Sequence, residues 1–278
     1  MSIVRIAFGA TAFCLAATTV AVAQRRGGGG GFNQFFGGPN DFYVPPAFHG
    51  NPVYDGRVTF ARIKYRGYQK FGREGPGWSH DYPDAEENFM KIVRDISAIR
   101  PFVDAGPIVG SAIVALDDPM LFKYPVSYMS EPGGWQPNDI EIAGLRNYLL
   151  KGGFMIFDDF REDPRRGYDW TVLRQNMARA LPNAKWLELK GTEPIFNCFF
   201  NVDLPKAVNS TSAYGIRPPT YWGIYQDNDP KKRLLVIANV DNDIGESWQW
   251  SASGFIPIAA ANETYKLGVN YWIYALTH

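Results

Sequence analysis

The chain is poor in the residues that most often announce chemistry. It has two cysteines and three histidines in 278 residues. Cys14 lies inside an apolar N-terminal stretch, so a processed chain keeps Cys198 alone, and a lone thiol closes no internal disulfide. Cys198 stands among Phe196, Phe199 and Phe200, the setting of a small buried hydrophobe. His49, His80 and His278 are too scattered to predict a histidine-based zinc site or a Ser-His-Asp triad. There is no G-x-S-x-G, no H-E-x-x-H, no C-x-x-C and no glycine loop of the phosphate-binding kind. Neither sign of charge dominates, with 28 basic and 28 acidic residues and no Lys/Arg-rich run. That argues against a nucleic-acid partner.

The N-terminus is patterned for export. Met1 to Arg5 is short and basic, Ile6 to Val20 is apolar, and Ala21-Val22-Ala23 has the small-residue form of a cleavage site. Residues 1–23 are therefore expected to be a signal peptide, with Gln24 as the new N-terminus. The protein is expected to be exported, periplasmic or secreted, with no integral membrane span once processed. Residues 24–56 read as a Gly-rich flexible tail, with five glycines running from Gly27 to Gly31. The roughly 255 residues left after processing are enough to bury roughly 70–75% of the chain's surface in one or two domains, and residues 57–278 read as the α/β domain.

Within that domain the apolar pattern switches between strand and helix. "RVTFARIKY" (57–65), "SAIVALDD" (111–118), "FMIF" (154–157), "KWLELK" (185–190) and "RLLVIANV" (233–240) read as strands. A helix is predicted from Asp84, with Glu87 completing a capping box and Phe89, Ile92, Val93, Ile96 and Ile99 on one face. A second spans 137–153, capped by Asn138 and Glu141 and closed by Gly152; a third spans 169–182. A fourth spans 262–276 with Asn262 as its cap. The alternation predicts an α/β fold with a mostly parallel sheet flanked by helices. Residues 191–232, with Pro205, Pro218 and Pro219, read as a loop-rich insertion.

Three of the predicted strands end in carboxylates: Asp117-Asp118, Asp158-Asp159, and Asp241 with Asp243. Parallel strands would bring all of them to one edge of the sheet, where open α/β sheets bind ligands. Asp158 and Asp159 are the candidate catalytic residues, through a carboxyl acting as general acid or base. Asp117, Asp118, Asp159, Asp241 and Asp243 are the candidate ligand-binding residues. Asp117, Asp159 and Asp241 are the candidate ligands of a divalent cation, the one cofactor this sequence admits. By strand alternation Asp158 should turn inward and accept backbone N–H bonds that lower its pKa, while Asp159 faces the crevice. A purely structural account stands beside these. Aspartate is common in caps and turns, Asp118-Pro119 and Asp163-Pro164 are turn starters, and Arg161, Arg165 and Arg166 are near enough in sequence to pair with the acids.

Six segments in order carry a resemblance: "WSHDYPDAEENF" (78–89), "LLKGGFMIFDDF" (149–160), "IFNCFFNVD" (195–203), "WGIY" (222–225), "NVDNDIGESWQW" (239–250) and "YKLGVNYWIYALTH" (265–278). Together, from about Arg57 to His278, they resemble the bacterial domain of unknown function 4159 family. The resemblance implies a class I glutamine amidotransferase-like, flavodoxin-like architecture. In that architecture a nucleophilic cysteine sits on the turn after a central strand, and some relatives close that strand with a histidine. The matching place here holds Asp158 and Asp159, and a carboxylate cannot perform thiolate chemistry on an amide. The chain departs from the pattern at Glu162, where a glycine would follow "DDF", and at Glu193-Pro194, where His-Pro would precede "IF".

These observations support a ligand- or partner-binding domain of the cell envelope that has no amidotransferase activity. The partner is an unidentified small molecule, glycan or envelope protein. Two alternatives remain: a metal- or carboxylate-dependent hydrolase acting on an envelope glycan, and a structural or interaction module using its aromatic tail and "ESWQW".

Overall fold

The computed structural model describes residues 44, 45, 47–67, 76–102, 110–162, 168–208 and 217–278. The signal segment, most of the Gly-rich tail, Asp163-Pro164, Arg165 and Arg166 lie outside the described residues. Seven strands form one sheet: β1 (Phe60–Lys64), β2 (Ser111–Ala115), β3 (Val126–Ser130), β4 (Phe154–Phe160), β5 (Leu187–Leu189), β6 (Thr220–Tyr225) and β7 (Leu234–Val240). Their order is β2-β1-β3-β4-β7-β6-β5. All pairings from β2 across to β7 are parallel, and β6 runs antiparallel to both its neighbours. The sheet is mostly parallel, and the fold is α/β, consistent with a flavodoxin-like arrangement. The order reverses between β1 and β3, as that arrangement requires.

Helices cover both faces. α1 (Asp84–Ile96), α4 (Ile244–Gln249) and α5 (Ile258–Thr277) supply Phe89, Val93, Trp248, Leu267 and Trp272 to the core of one face. α2 (Asp139–Leu150) and α3 (Asp169–Ala180) supply Leu145, Leu149, Trp170, Leu173 and Met177 to the other. β4 and β7 lie between the two layers, with every residue buried. This is why their sequences are nearly continuous apolar runs. Among the described residues no helix is long and apolar enough to cross a membrane.

Local chemistry sets several boundaries. Asn138 and Glu141 form the expected capping box of α2, and Gly152 takes the expected left-handed backbone, φ 119°. α1 differs: it starts from Pro83 with no side-chain cap, and Glu86 of its first turn is turned inward. α5 begins at Ile258, ahead of Asn262, because Pro257 followed by Ile-Ala-Ala-Ala starts a helix without a polar cap. β3 and β6 have no counterpart among the predicted strands. β3 carries two serines in five residues, and β6 follows a Pro-Pro pair inside the segment read as an insertion. At the opposite edge, the Asn51 side chain both donates to Ile113 O (2.7 Å) and accepts from Ile113 N (2.8 Å). It thereby satisfies an edge strand as a neighbouring backbone would.

One buried ion ties the layers together beneath the sheet's carboxyl edge. Arg62 of β1 is fully buried; its Nε donates to Glu86 of α1, and its Nη1 donates to the carbonyls of Trp78 (3.0 Å) and His80 (2.8 Å). The guanidinium also lies over the Tyr128 ring, 5.2 Å from its centroid. Burial alone would lower the Arg62 pKa, but the adjacent Glu86 charge outweighs it and keeps the group a cation. Replacing Arg62 with Met strands a buried carboxylate and two carbonyls. The expected loss of unfolding free energy is about 3–5 kcal/mol by urea denaturation at neutral pH. The double variant Arg62→Met/Glu86→Leu should recover part of that loss, because it also removes the stranded charge.

Candidate functional site

β4 keeps a period of two as far as Phe157. Phe154 and Ile156 pack on the face of α1, α4 and α5, and Met155 and Phe157 pack on the face of α2 and α3. Phe160, three residues further on, packs on the same face as Phe157, which unbroken alternation forbids. The register with β7 shifts between these two phenylalanines, and Asp159 takes φ 57°. The strand ends in a bulge whose inserted residue has a left-handed backbone, a conformation Asp tolerates better than most side chains. The pair divides as expected, with Asp158 turned inward onto backbone N–H groups and Asp159 toward His80 and Ser130, although a bulge and not plain alternation sets the direction of Asp159.

Asp158 is fully buried and accepts four hydrogen bonds: from Tyr128 Oη (2.7 Å), Asn239 Nδ2 (2.9 Å), and the backbone N–H groups of Ile244 (2.9 Å) and Gly245 (3.1 Å). It thus fastens the start of α4 to the end of β4. The lowered pKa expected for it is corrected: burial pushes the carboxyl up to about 6, outweighing the donors that pull it down.

Asp159 faces a different set of groups. Its Oδ2 is 2.7 Å from His80 Nδ1 and accepts from Ser130 Oγ at 3.3 Å. His80 follows a short 3-10 turn, Gly77–Ser79, whose path is fixed by the Arg62 bonds to the carbonyls of Trp78 and His80. The next residue, Asp81, also has a left-handed backbone, φ 64°. Asp243, after β7, accepts from Glu246 N (2.8 Å) at the head of α4. One ligand-type atom from each of His80, Asp81, Asp159 and Asp243 lies within 4.8 Å of the others.

The cluster is closed and acidic. Asp81, Asp159 and Asp243 are at most 4% exposed, whereas His80 keeps 29% of its side-chain surface. Burial pushes Asp81 and Asp243 well above the ordinary carboxylate range; for Asp243 the Asp159 charge adds to this, and for Asp81 the His80 charge partly opposes it. Burial would also lower His80, but the Asp81 charge and the Asp159 hydrogen bond prevail, and its pKa is pushed up to about 12. At neutral pH the imidazole is a cation that donates to Asp159.

The other sequence-predicted residues are elsewhere. β2 is the edge strand, three places from β4 in the sheet, or about 14 Å at the usual strand spacing. Asp117 is exposed there, and Asp118 caps the turn that follows by accepting from Met120 N (2.8 Å). Asp241 has φ 57° and accepts from Glu162 N (3.1 Å), as a turn residue does. Of the expected cation ligands Asp117, Asp159 and Asp241, the cluster keeps Asp159 alone and adds His80, Asp81 and Asp243. Sequence reasoning set His80 aside as a loop histidine. The usable signal was the "HD" step in the loop after β1, since the loop after any parallel strand lies at the carboxyl edge.

The aromatic segments mostly fill the core. In "ESWQW" Trp248 is buried against Phe89, with ring centroids 4.4 Å apart, and only Trp250 reaches the surface, 38% exposed. A cavity of about 430 Å³ is lined by Thr171, Arg174, Met177 and Trp186 among others, and by none of these acidic residues. Cys198 is half-buried, with its thiol 3.4 Å from Asn270 O, and burial raises its pKa.

Residues 59–276 match the family described as Domain of unknown function (DUF4159). No curated protein matches the chain. With more than three quarters of its length matched, the chain belongs to the DUF4159 family.

Two measurements test the assigned roles. Asp158→Ala leaves Tyr128, Asn239 and two backbone N–H groups without their acceptor, and should cost about 3 kcal/mol or more in urea unfolding. Asp158→Asn keeps one oxygen and should cost less. His80 has a folded pKa above its unfolded value near 6.5. Its stabilising contribution is therefore complete below about pH 6.5 and is lost as the pH rises toward 12. The stability gap between wild type and His80→Gln should accordingly be widest at pH 6–7 and narrow steadily toward pH 10.

Proposed function

We propose that this DUF4159 protein is an exported domain of the bacterial cell envelope that binds a ligand at the carboxyl edge of its sheet and performs no glutaminase chemistry. The export half of this reading is supported by the Ala21-Val22-Ala23 sequence after an apolar run. The observation that carries the binding half is Asp159. It stands on a left-handed bulge at the end of the central strand, hydrogen-bonded to His80, in the place where a thiol-dependent relative of this fold would need its cysteine. Cys198 offers no substitute, because a buried thiol with a raised pKa has little thiolate at neutral pH.

A second reading, a carboxylate-dependent hydrolase, is favoured by one observation. His80 is held by Asp159 at 2.7 Å and is the most exposed member of the cluster. A protonated imidazole at the mouth of an acidic site is placed as a general acid toward a leaving-group oxygen. The two readings differ in whether a bound ligand is turned over.

A thermal-shift screen with envelope sugars and peptidoglycan fragments, followed by product analysis of each hit, separates them. Binding should be lost in Asp159→Asn and in His80→Gln and retained in Cys198→Ser. Loss of binding in Cys198→Ser alone would overturn the proposal. Mass spectrometry of the exported protein should find Gln24 at its N-terminus, and a retained Met1 segment would refute processing at that site.

A further inference from the structure

We propose that His80, Asp81, Asp159 and Asp243 hold one first-row transition-metal dication, of the Mn²⁺ or Zn²⁺ type. The inference rests on the site's geometry and charge, not on the export or the ligand class proposed above.

Three independent observations converge on it. The first is distance. The four ligand-type atoms lie within 4.8 Å of one another, and donors around a cation at roughly 2.0–2.2 Å are roughly 3.0–4.4 Å apart. A small inward movement of side chains closes the shell. The second is charge. Among the described residues five carboxylates are buried at or beside this edge, those of Asp81, Glu86, Asp158, Asp159 and Asp243, and the cations paired with them are Arg62 and His80. Arg62 is already engaged by Glu86, and Asp158 is satisfied by its four donors. With Asp159 bonded to His80, the excess falls on Asp81 and Asp243, and buried carboxylates in excess of their cations are held at great expense.

The third observation is Asp81 itself. It is 1% exposed, and among the described residues neither of its carboxylate oxygens has a hydrogen-bond partner. His80 Nε2 is 3.9 Å from its Oδ1. Asp158 by contrast is served by four donors, and Glu86 has one oxygen on Arg62, so Asp81 is the buried carboxylate with neither oxygen hydrogen-bonded among the described residues. Apart from this long ion pair with His80, the carboxylate has no partner among the described residues, yet it occupies a buried place beside three other ligand-type side chains. A left-handed Asp81 aims it there, and Gly245 leaves the room: a Cβ on that residue would stand 2.7 Å from Asp81 Oδ2. The donor set decides the class of ion. The ion displaces the imidazolium proton of His80 into solvent, and three oxygens with one imidazole nitrogen then suit Mn²⁺ or Zn²⁺ better than Ca²⁺ or Mg²⁺, which prefer all-oxygen shells.

The test uses the metal alone. The purified protein is stripped with a chelator and titrated with Mn²⁺ and Zn²⁺ by calorimetry and by melting. One ion per chain should bind, and Tm should rise by roughly 5–10 °C at about a hundredfold excess over Kd. Asp81→Asn is the informative variant, because Asn accepts the same left-handed backbone, no hydrogen bond of the side chain is lost among the described residues, and the long ion pair with His80 is offset by removing a buried charge. It should weaken binding at least tenfold, yet melt at or above the stripped wild type. His80→Gln should weaken Mn²⁺ and Zn²⁺ by a similar factor. The proposal is overturned if the stripped wild type binds neither ion, if Asp81→Asn binds as wild type does, or if Asp81→Asn melts below the stripped wild type, which would give Asp81 a structural role. Binding of Mg²⁺ or Ca²⁺ at equal strength, unaffected by His80→Gln, would remove the imidazole from the shell and overturn it as well. A failed cation titration leaves the sugar screen untouched, and a failed screen leaves the titration untouched.

Discussion

A buried guanidinium is the constraint on which this edge of the molecule depends. Arg62 projects from the interior of β1 into a space with no water. There it must find partners, and it takes them from three directions: Glu86 of α1, the carbonyls of Trp78 and His80, and the face of Tyr128 on β3. Each contact fixes something else. Glu86 sets the rotation of α1, and the two carbonyls set the path of the loop that carries His80 and Asp81. A fixed positive charge under that loop also lowers the cost of gathering carboxylates above it. That charge pulls the Asp81 pKa down against burial.

The adjacent aspartates at the end of β4 divide the labour by backbone geometry rather than by strand alternation. The bulge at Asp159 turns the chain so that Asp158 looks back into the protein, where Tyr128, Asn239 and the head of α4 receive it. Tyr271 extends this chain of bonds through Asn239. Asp159 looks out to His80 and Ser130. One carboxylate holds the frame, and its neighbour belongs to the site. Left-handed backbone at Asp81, Glu131, Asp159 and Asp241 recurs around the same edge. An acidic side chain there supplies both the tolerance for that conformation and the negative charge.

The closure of the cluster bears on what it can hold. With three carboxylates nearly shut off from solvent, the inner part of the site is the size of an ion, and only the imidazole looks outward. His80 is the member of the cluster that a larger ligand could reach. The aromatic residues that suggested stacking on sugars are, for the most part, core. Trp78, Trp135, Trp248 and Trp272 are wholly buried, and the exposed ring of "ESWQW" is Trp250.

The sequence alone determined the class of fold, because a strand buried on both faces and a helix with one apolar stripe are local patterns. "FMIF" and "VIANV" could not be surface strands, and Asn138 with Glu141 had to start a helix. It also determined that no cysteine stands at the end of a predicted strand, and that Asp158, Asp159 and Asp243 would lie at one edge of the sheet. It did not reveal β3 and β6, whose serines and flanking prolines hide a strand that only its neighbours stabilise. Nor could it choose among the acids. Asp117 and Asp241 look as good as Asp81 in a one-dimensional reading. Which of them converge depends on strand order, which puts β2 at the rim and β4 beside β7, and on a loop bent to serve Arg62. Both are long-range consequences of packing, since the partner that positions His80 and Asp81 lies in another strand and the bulge that aims Asp159 is set by register with β7. Convergence of side chains distant in sequence is a property of the folded chain, and here it was the tertiary structure that decided it.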